Sequence, residues 1–195
     1  MSVEAEIRRA AARLFAEHGF HETGMRAIAA AAGVSIGALY HYFASKEEIF
    51  LAVLRQGYDR RLEEAQVLWR EGLPVPEVLR RVVELHFASI AEGHESGRLV
   101  SRAWLGEVPS LRSQILALRE EYARCIADLL SQAMARGEIR SAHPLLTAYA
   151  LLGLVEAVTA RAVAGDDVAQ ELRREGPREL AEIAWRALRP EKEES

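Results

Sequence analysis

The chain has 195 residues, 50% hydrophobic and 28% charged, with 29 acidic residues against 25 lysines and arginines and a net charge of −4. This fits a soluble globular protein of one or two domains that buries a core without staples, and the overall charge does not advertise a nucleic-acid binder. The single Cys125 excludes an intramolecular disulfide and agrees with a reducing, cytoplasmic setting.

Charges recur at Glu4, Glu6, Arg8 and Arg9 before any apolar run forms, so no signal peptide is expected. Ile7, Ala10, Ala11, Leu14, Phe15 and His18 recur at three- and four-residue spacing. This predicts a first helix over residues 3–18, ended by Gly19. Residues 23–46, TGMRAIAAAAGVSIGALYHYFASK, then read as two short helices about a tight turn. Ile28, Ala29 and Ala32 form the inner face of the first. Gly33 supplies the positive φ of the turn, and Val34 and Leu39 carry the apolar pattern into the second. A short Gly-containing turn between two such helices is the helix-turn-helix pattern, whose second helix enters a DNA major groove. Between Thr23 and Lys46 there is no acidic residue, only Arg26 and Lys46, as suits a surface facing phosphates. The thin basic supply predicts weak non-specific binding and a modest salt slope per head.

Ser45 and Glu48 form an S-x-x-E capping box. They open a helix of about 26 residues, or about 39 Å, running toward Trp69. Gly72, Pro74 and Pro76 break it. The next helix carries Val78, Leu79, Val82, Val83, His86, Phe87 and Ile90. Gly93 and Gly97 loosen the chain before a short segment holding Leu99, Val100, Ala103, Trp104 and Leu105. Pro109 and Ser110 start another long helix, which Gly137 stops. Pro144 suits an early helical position. The run LLTAYALLGLVEAV after it is apolar nearly all round, so more than one neighbour must cover it. The uncharged segment of residues 144–155 is too short to cross a bilayer. Pro177 is expected to start the last helix, and the tail PEKEES to be frayed. The expected fold class is all-α, with a helix-turn-helix head over 1–46 and a helical ligand-binding and dimerisation body over 47–195.

The head's motifs are Leu14-Phe15, Gly19-Phe20, Thr23, Ile28-Ala29, Ala32-Gly33-Val34-Ser35, Gly37, Leu39-Tyr40, Tyr42-Phe43 and Lys46. They resemble the DNA-binding head of a TetR-family transcriptional regulator, across about the first quarter of the chain. Beyond about residue 55 only the helical architecture matches. The resemblance implies that Arg26, Ser35, Ile36, Gly37, Ala38, Tyr40, His41, Tyr42 and Lys46 fall where DNA contacts occur. Arg26 suits guanine or a phosphate. Ile36 and Ala38 suit thymine methyls, and Gly37 lets the backbone come close. Tyr40, Tyr42 and Lys46 suit phosphates, and His41 a base edge or the backbone. The competing reading is that Tyr40, His41, Tyr42 and Phe43 pack on the first helix, and it is accepted for Leu39 and Phe43.

The resemblance also implies a small-molecule pocket in the body, with His86, Phe87, Ile90, Trp104, Tyr122, Tyr149 and Leu152 as candidates, against ordinary core packing as the alternative for each. A hydrophobic compound or an acyl thioester would suit it. The apolar helix of residues 145–158 and the last helix suggest a homodimer built as a four-helix bundle. That would set the reading helices one DNA turn apart, about 34–36 Å. Neither His18 with His21 nor His86 with His94 has the company of a metal site; no metal or cofactor is expected, and Cys125 is read as a buried, inert thiol. No nucleophile–base pair marks an enzyme. The function expected is a repressor that releases a palindromic operator on binding its effector. An activator of the same fold, or a helical protein-interaction module, is the alternative.

Overall fold

The computed structural model describes residues 2–91, 108–164 and 166–190, the side chains of 89–91 excepted. Among these are eight α-helices and no strand: α1 (Val3–Glu22), α2 (Met25–Ala31), α3 (Ile36–Tyr42), α4 (Lys46–Arg70), α5 (Val75–Ala91), α6 (Arg112–Ala135), α7 (Pro144–Ala162) and α8 (Asp167–Leu188). The short segment with Trp104, both loosening glycines, His94 and the tail lie outside the described residues.

Local chemistry sets the ends of the head helices. Ser2 caps α1 through Ala5 N–H. Gly19 interrupts α1 with φ 82, where a side chain would be strained. Buried Thr23 donates its hydroxyl to the carbonyls of Gly19 at 2.8 Å and Leu14 at 3.2 Å, so the chain doubles back after Phe20. Phe20 then meets Phe15 and Phe50, with ring centroids 5.8 and 5.0 Å away. Gly33, at φ 68, closes α2. Its N–H reaches Ala30 O, and Val34 N–H reaches Ala29 O. This pair of bonds is a Schellman motif and satisfies carbonyls that the helix end leaves open. Ile7, Phe15, Ile28, Leu39, Ile49 and Leu54 fill the centre with almost no exposure. Each such side chain contributes about 1.5–3 kcal/mol by leaving water.

The buried core of the head continues into α4. Ile49, Phe50, Val53 and Leu54 of α4 belong to the same buried cluster, which runs on through Tyr58 to Ile115 and Tyr122 of α6. Ser45 caps α4 through Glu48 N–H, and Glu48 reaches back to Ala44 N–H at 2.7 Å, one residue before the cap. The capping box is therefore present in a shifted form.

In the body, α5 lies along α8, and α7 lies along α6 and α8. His143 caps α7 with its ring nitrogen, and Pro144 takes the first helical position. The α6–α7 connection returns to α8, where Arg140 donates to the carbonyls of Leu188 and Ala187. Pro177 does not start the last helix. Asp166 caps α8 eleven residues earlier through Ala169 N–H at 2.9 Å, and Pro177 lies inside the helix. Its missing N–H leaves one helical bond unmade, yet the helix starts at the Asp166 cap and runs through it to Leu188.

The nineteen-residue α7 is long and apolar enough to cross a bilayer by length and composition, which the uncharged stretch alone is not. It nevertheless carries Glu156 in a buried ion pair with Arg119 of α6, at 2.8 Å. Its fully buried positions are only Ala148, Glu156, Thr159 and Ala162. Leu146 is 70% exposed, as is half of Ile183 on α8. One chain therefore leaves much of the α7 and α8 apolar surface uncovered. Cys125 is half-buried rather than buried.

Candidate functional site

Helix α3 is seven residues long, and Leu39 is its one buried residue. Leu39 and the capping residue Phe43 anchor it to the head core. Every other residue of the helix faces outward, wholly or in part. Ser35 Oγ accepts from Ala38 N–H at 3.1 Å, which fixes the first turn. Ile36 is 39% exposed, Tyr40 54% and Tyr42 42%. Three large apolar bodies on two turns of helix are costly to leave in water unless something docks there. His41 is also exposed, its ring set edge-on to Tyr42 at 5.3 Å. Gly37 has an ordinary backbone, and a Cβ there would meet nothing of the protein nearer than Ser35 Oγ at 4.0 Å. The fold does not require this glycine, so its bareness serves whatever approaches from outside. Arg26 is exposed on α2, and Ala38 is half-buried.

Lys46 has a different setting. Its ammonium donates to Phe20 O at 2.7 Å and His21 O at 3.3 Å, and lies 4.3 Å from the Phe20 ring centre. It staples the end of α1 to the start of α4.

The body encloses an apolar cavity of about 120 Å³. Its wall is built by α4 (Ala65, Trp69), α5 (Val78, Leu79, Val82, Val83, His86), α6 (Tyr122, Ile126, Leu129, Leu130), α7 (Leu151, Leu152, Leu154, Val155) and Ala184 of α8. Of the residues singled out in the sequence, His86, Tyr122 and Leu152 line it. Phe87 packs instead with Val83, Ala162, Leu180 and Ala181. Tyr149 lies under the Arg119 guanidinium at 5.5 Å. The side chain of Ile90 and all of Trp104 lie outside the described residues. Trp69, Leu79 and Val155 went unnoticed because an apolar stripe reads the same whether it meets a helix or a cavity.

Beside the cavity lies a buried polar cluster. Burial, with Arg61 and Arg60 nearby, holds His86 well below the ordinary histidine range, so it is neutral at pH 7. Its Nε2 is 3.4 Å from Thr159 Oγ1. Burial pushes the Tyr122 hydroxyl up to about 12, and Tyr58 upward as well. Burial also raises Glu156 above the usual carboxylate range, against the pull of Arg119 and Arg61. Among the described residues no three His, Cys, Asp or Glu side chains gather as metal ligands would.

A compact head that offers one short helix to its surroundings, joined by a long helix to a body with an apolar cavity, defines a ligand-binding helix-turn-helix regulator. Comparison with known proteins agrees at both ends. Residues 7–53 match the model "Bacterial regulatory proteins, tetR family", and residues 72–160 match "Tetracyclin repressor-like, C-terminal domain". The transcriptional repressor AcnR of Corynebacterium glutamicum is 30% identical over 152 residues, covering 77% of this chain and 76% of that one. The fatty acid metabolism regulator protein of Bacillus subtilis is 27% identical over 135 residues, covering 69% and 70%. The crystal structure of FadR from Bacillus subtilis in complex with stearoyl-CoA superposes with a TM-score of 0.77 at 23% identity, covering 92% and 96%. The chain belongs to the TetR family and is a DNA-binding transcriptional regulator.

Proposed function

We propose that the protein is a ligand-responsive repressor whose effector is a hydrophobic compound such as an acyl thioester. The observation that carries this reading is the position of the cavity. Ala65 and Trp69 of α4 form part of its wall, while Ile49, Phe50 and Val53 of the same helix hold the head. A ligand that displaces the wall moves the helix on which the head is mounted. The stearoyl-CoA held by the B. subtilis neighbour supports the effector class.

Residues 1–46 act as the reading head and 47–195 as the body, with α4 shared between them. Two copies pair through α7 and α8, whose apolar side chains one chain leaves exposed, and present two α3 helices about 34–36 Å apart to a palindromic operator. Arg26, Ser35, Ile36, Gly37, Ala38, Tyr40, His41 and Tyr42 meet the duplex; Lys46 meets a phosphate only by leaving its carbonyl partners. The effector binds the spread state better and so shifts the pair away from DNA. The protein works in the cytoplasm, where its operator is. The test is a gel shift on the DNA upstream of its own gene. Arg26→Ala and His41→Ala should each weaken binding about 10-fold or more, since a base-edge or charged contact is worth about 1–3 kcal/mol. Wild-type affinity in both would remove the contact assignment.

A further inference from the structure

Arg61 sits on α4 one turn before Ala65, which lines the cavity. It is only 6% exposed. Among the described residues its Nε and Nη2 have no hydrogen-bond partner. These two nitrogens present parallel N–H groups along one edge of the guanidinium, the edge that takes a carboxylate or phosphate in bidentate fashion.

The surroundings do not neutralise it. The cavity residues Tyr122 and His86, together with Tyr58 and Glu156, lie within electrostatic reach of Arg61. Both tyrosines stay protonated, since burial raises them, and His86 is neutral. Glu156 already pairs with Arg119 at 2.8 Å, both side chains being buried. Both guanidiniums therefore draw on Glu156, and an arginine stays charged inside a protein. An uncompensated buried charge is strongly destabilising. Here it lies one turn of α4 from the cavity wall at Ala65 and within electrostatic reach of the wall residues Tyr122 and His86, and its bare edge is the edge suited to an anion.

We propose that Arg61 recognises the acidic end of the effector, an amphiphile whose apolar chain runs along Leu79, Val82, Leu152 and Val155 and whose carboxylate or phosphate accepts from Arg61 Nε and Nη2. The inference rests on reading the cavity as the effector site, and it adds the effector's charge and the residue that selects it. Because Arg61 is on α4, the anion is read by the same helix that carries the head.

The test uses the full-length protein with its operator. Binding of decanoate, decanamide and decanoyl-CoA is measured by calorimetry, and operator release by fluorescence anisotropy. Decanoate and decanamide have nearly the same shape and differ in charge, so wild-type protein decides whether the site reads a charge. The expected result is that decanoate or decanoyl-CoA binds at least about tenfold more tightly than decanamide, the worth of a charge-assisted bond. A preference for decanoate identifies a carboxylate, and a preference for the thioester identifies the phosphates of its head group. Arg61→Met should abolish the preference, weakening decanoate or decanoyl-CoA by at least about tenfold more than it weakens decanamide. Equal binding of all three, each releasing operator, would overturn the role of Arg61 while leaving the effector cavity standing. Binding of none, with the operator still held, would sink both. A preference that survives in Arg61→Met would assign the anion to another residue.

Discussion

Gly176 gives a prediction whose sign depends on a single neighbour. A Cβ built there would lie 2.7 Å from Phe87 Cζ and 2.9 Å from Cε1. To restore ordinary carbon–carbon contact near ~3.6 Å, the ring must retreat by about 0.9 Å. It is buried among Val83, Leu180 and Ala181 and has little room to do so. Overpacking of this kind costs about 1–3 kcal/mol, whereas alanine in place of glycine inside a helix gains about 0.8–1.0 kcal/mol. Gly176→Ala should therefore destabilise the protein by about 0.5–2 kcal/mol. With Phe87→Leu the ring is gone, and the same substitution should stabilise by about 0.5–1 kcal/mol. Urea unfolding of the four proteins at one fixed concentration gives the cycle, with a coupling of about 1–3 kcal/mol expected. If Gly176→Ala shifts the midpoint equally in both backgrounds, the close approach of α5 to α8 does not limit packing, and the reasoning fails.

Stability should also fall with acid in a way traceable to His86. Burial holds its folded pKa well below the ordinary histidine value of about 6.5. Above pH 6.5 neither folded nor unfolded histidine binds a proton, so its full contribution is present; as pH falls below 6.5 the unfolded chain alone gains the proton and stability is lost. By pH 5.5 the loss is about 1.4 kcal/mol, and urea titrations should show it in wild type but not in His86→Gln. On the reading helix, Ser35→Ala removes the cap and should cost about 1 kcal/mol while weakening operator binding. Ser35→Asp should restore stability to within about 0.5 kcal/mol, because Asp caps well, yet bind DNA more weakly than the alanine variant, because its charge faces phosphates. Thermal melts and gel shifts on the two variants separate these effects; equal DNA binding by both would place Ser35 away from the duplex.

The parts of this molecule that were legible in its sequence are those set by local chemistry. Gly33 closes α2, Ser45 opens α4, and Gly137 follows α6 at φ 71. Each involves groups a few residues apart. Pro177 misled because a proline near a helix start and a proline inside a helix look alike until the cap at Asp166 is seen. Phe87 and Leu152 sit on equally apolar faces, yet one fits against Gly176 and the other lines the cavity. The difference comes from how the helices meet, which spacing does not encode. Arg61 gave no signal, since an arginine beside Arg60 on a long helix reads as solvated. Its burial follows from the convergence of α4 with Tyr122 of α6 and Glu156 of α7.

The engagement of Lys46 with Phe20 and His21 bears on how this regulator searches a chromosome. With that ammonium turned inward, Arg26 is the only other lysine or arginine between Thr23 and Lys46. Few counterions are then displaced when the head meets arbitrary sequence, and loose, salt-driven adhesion is slight. A head so built is expected to leave arbitrary sequence quickly and to depend for its hold on what α3 meets at a matching site.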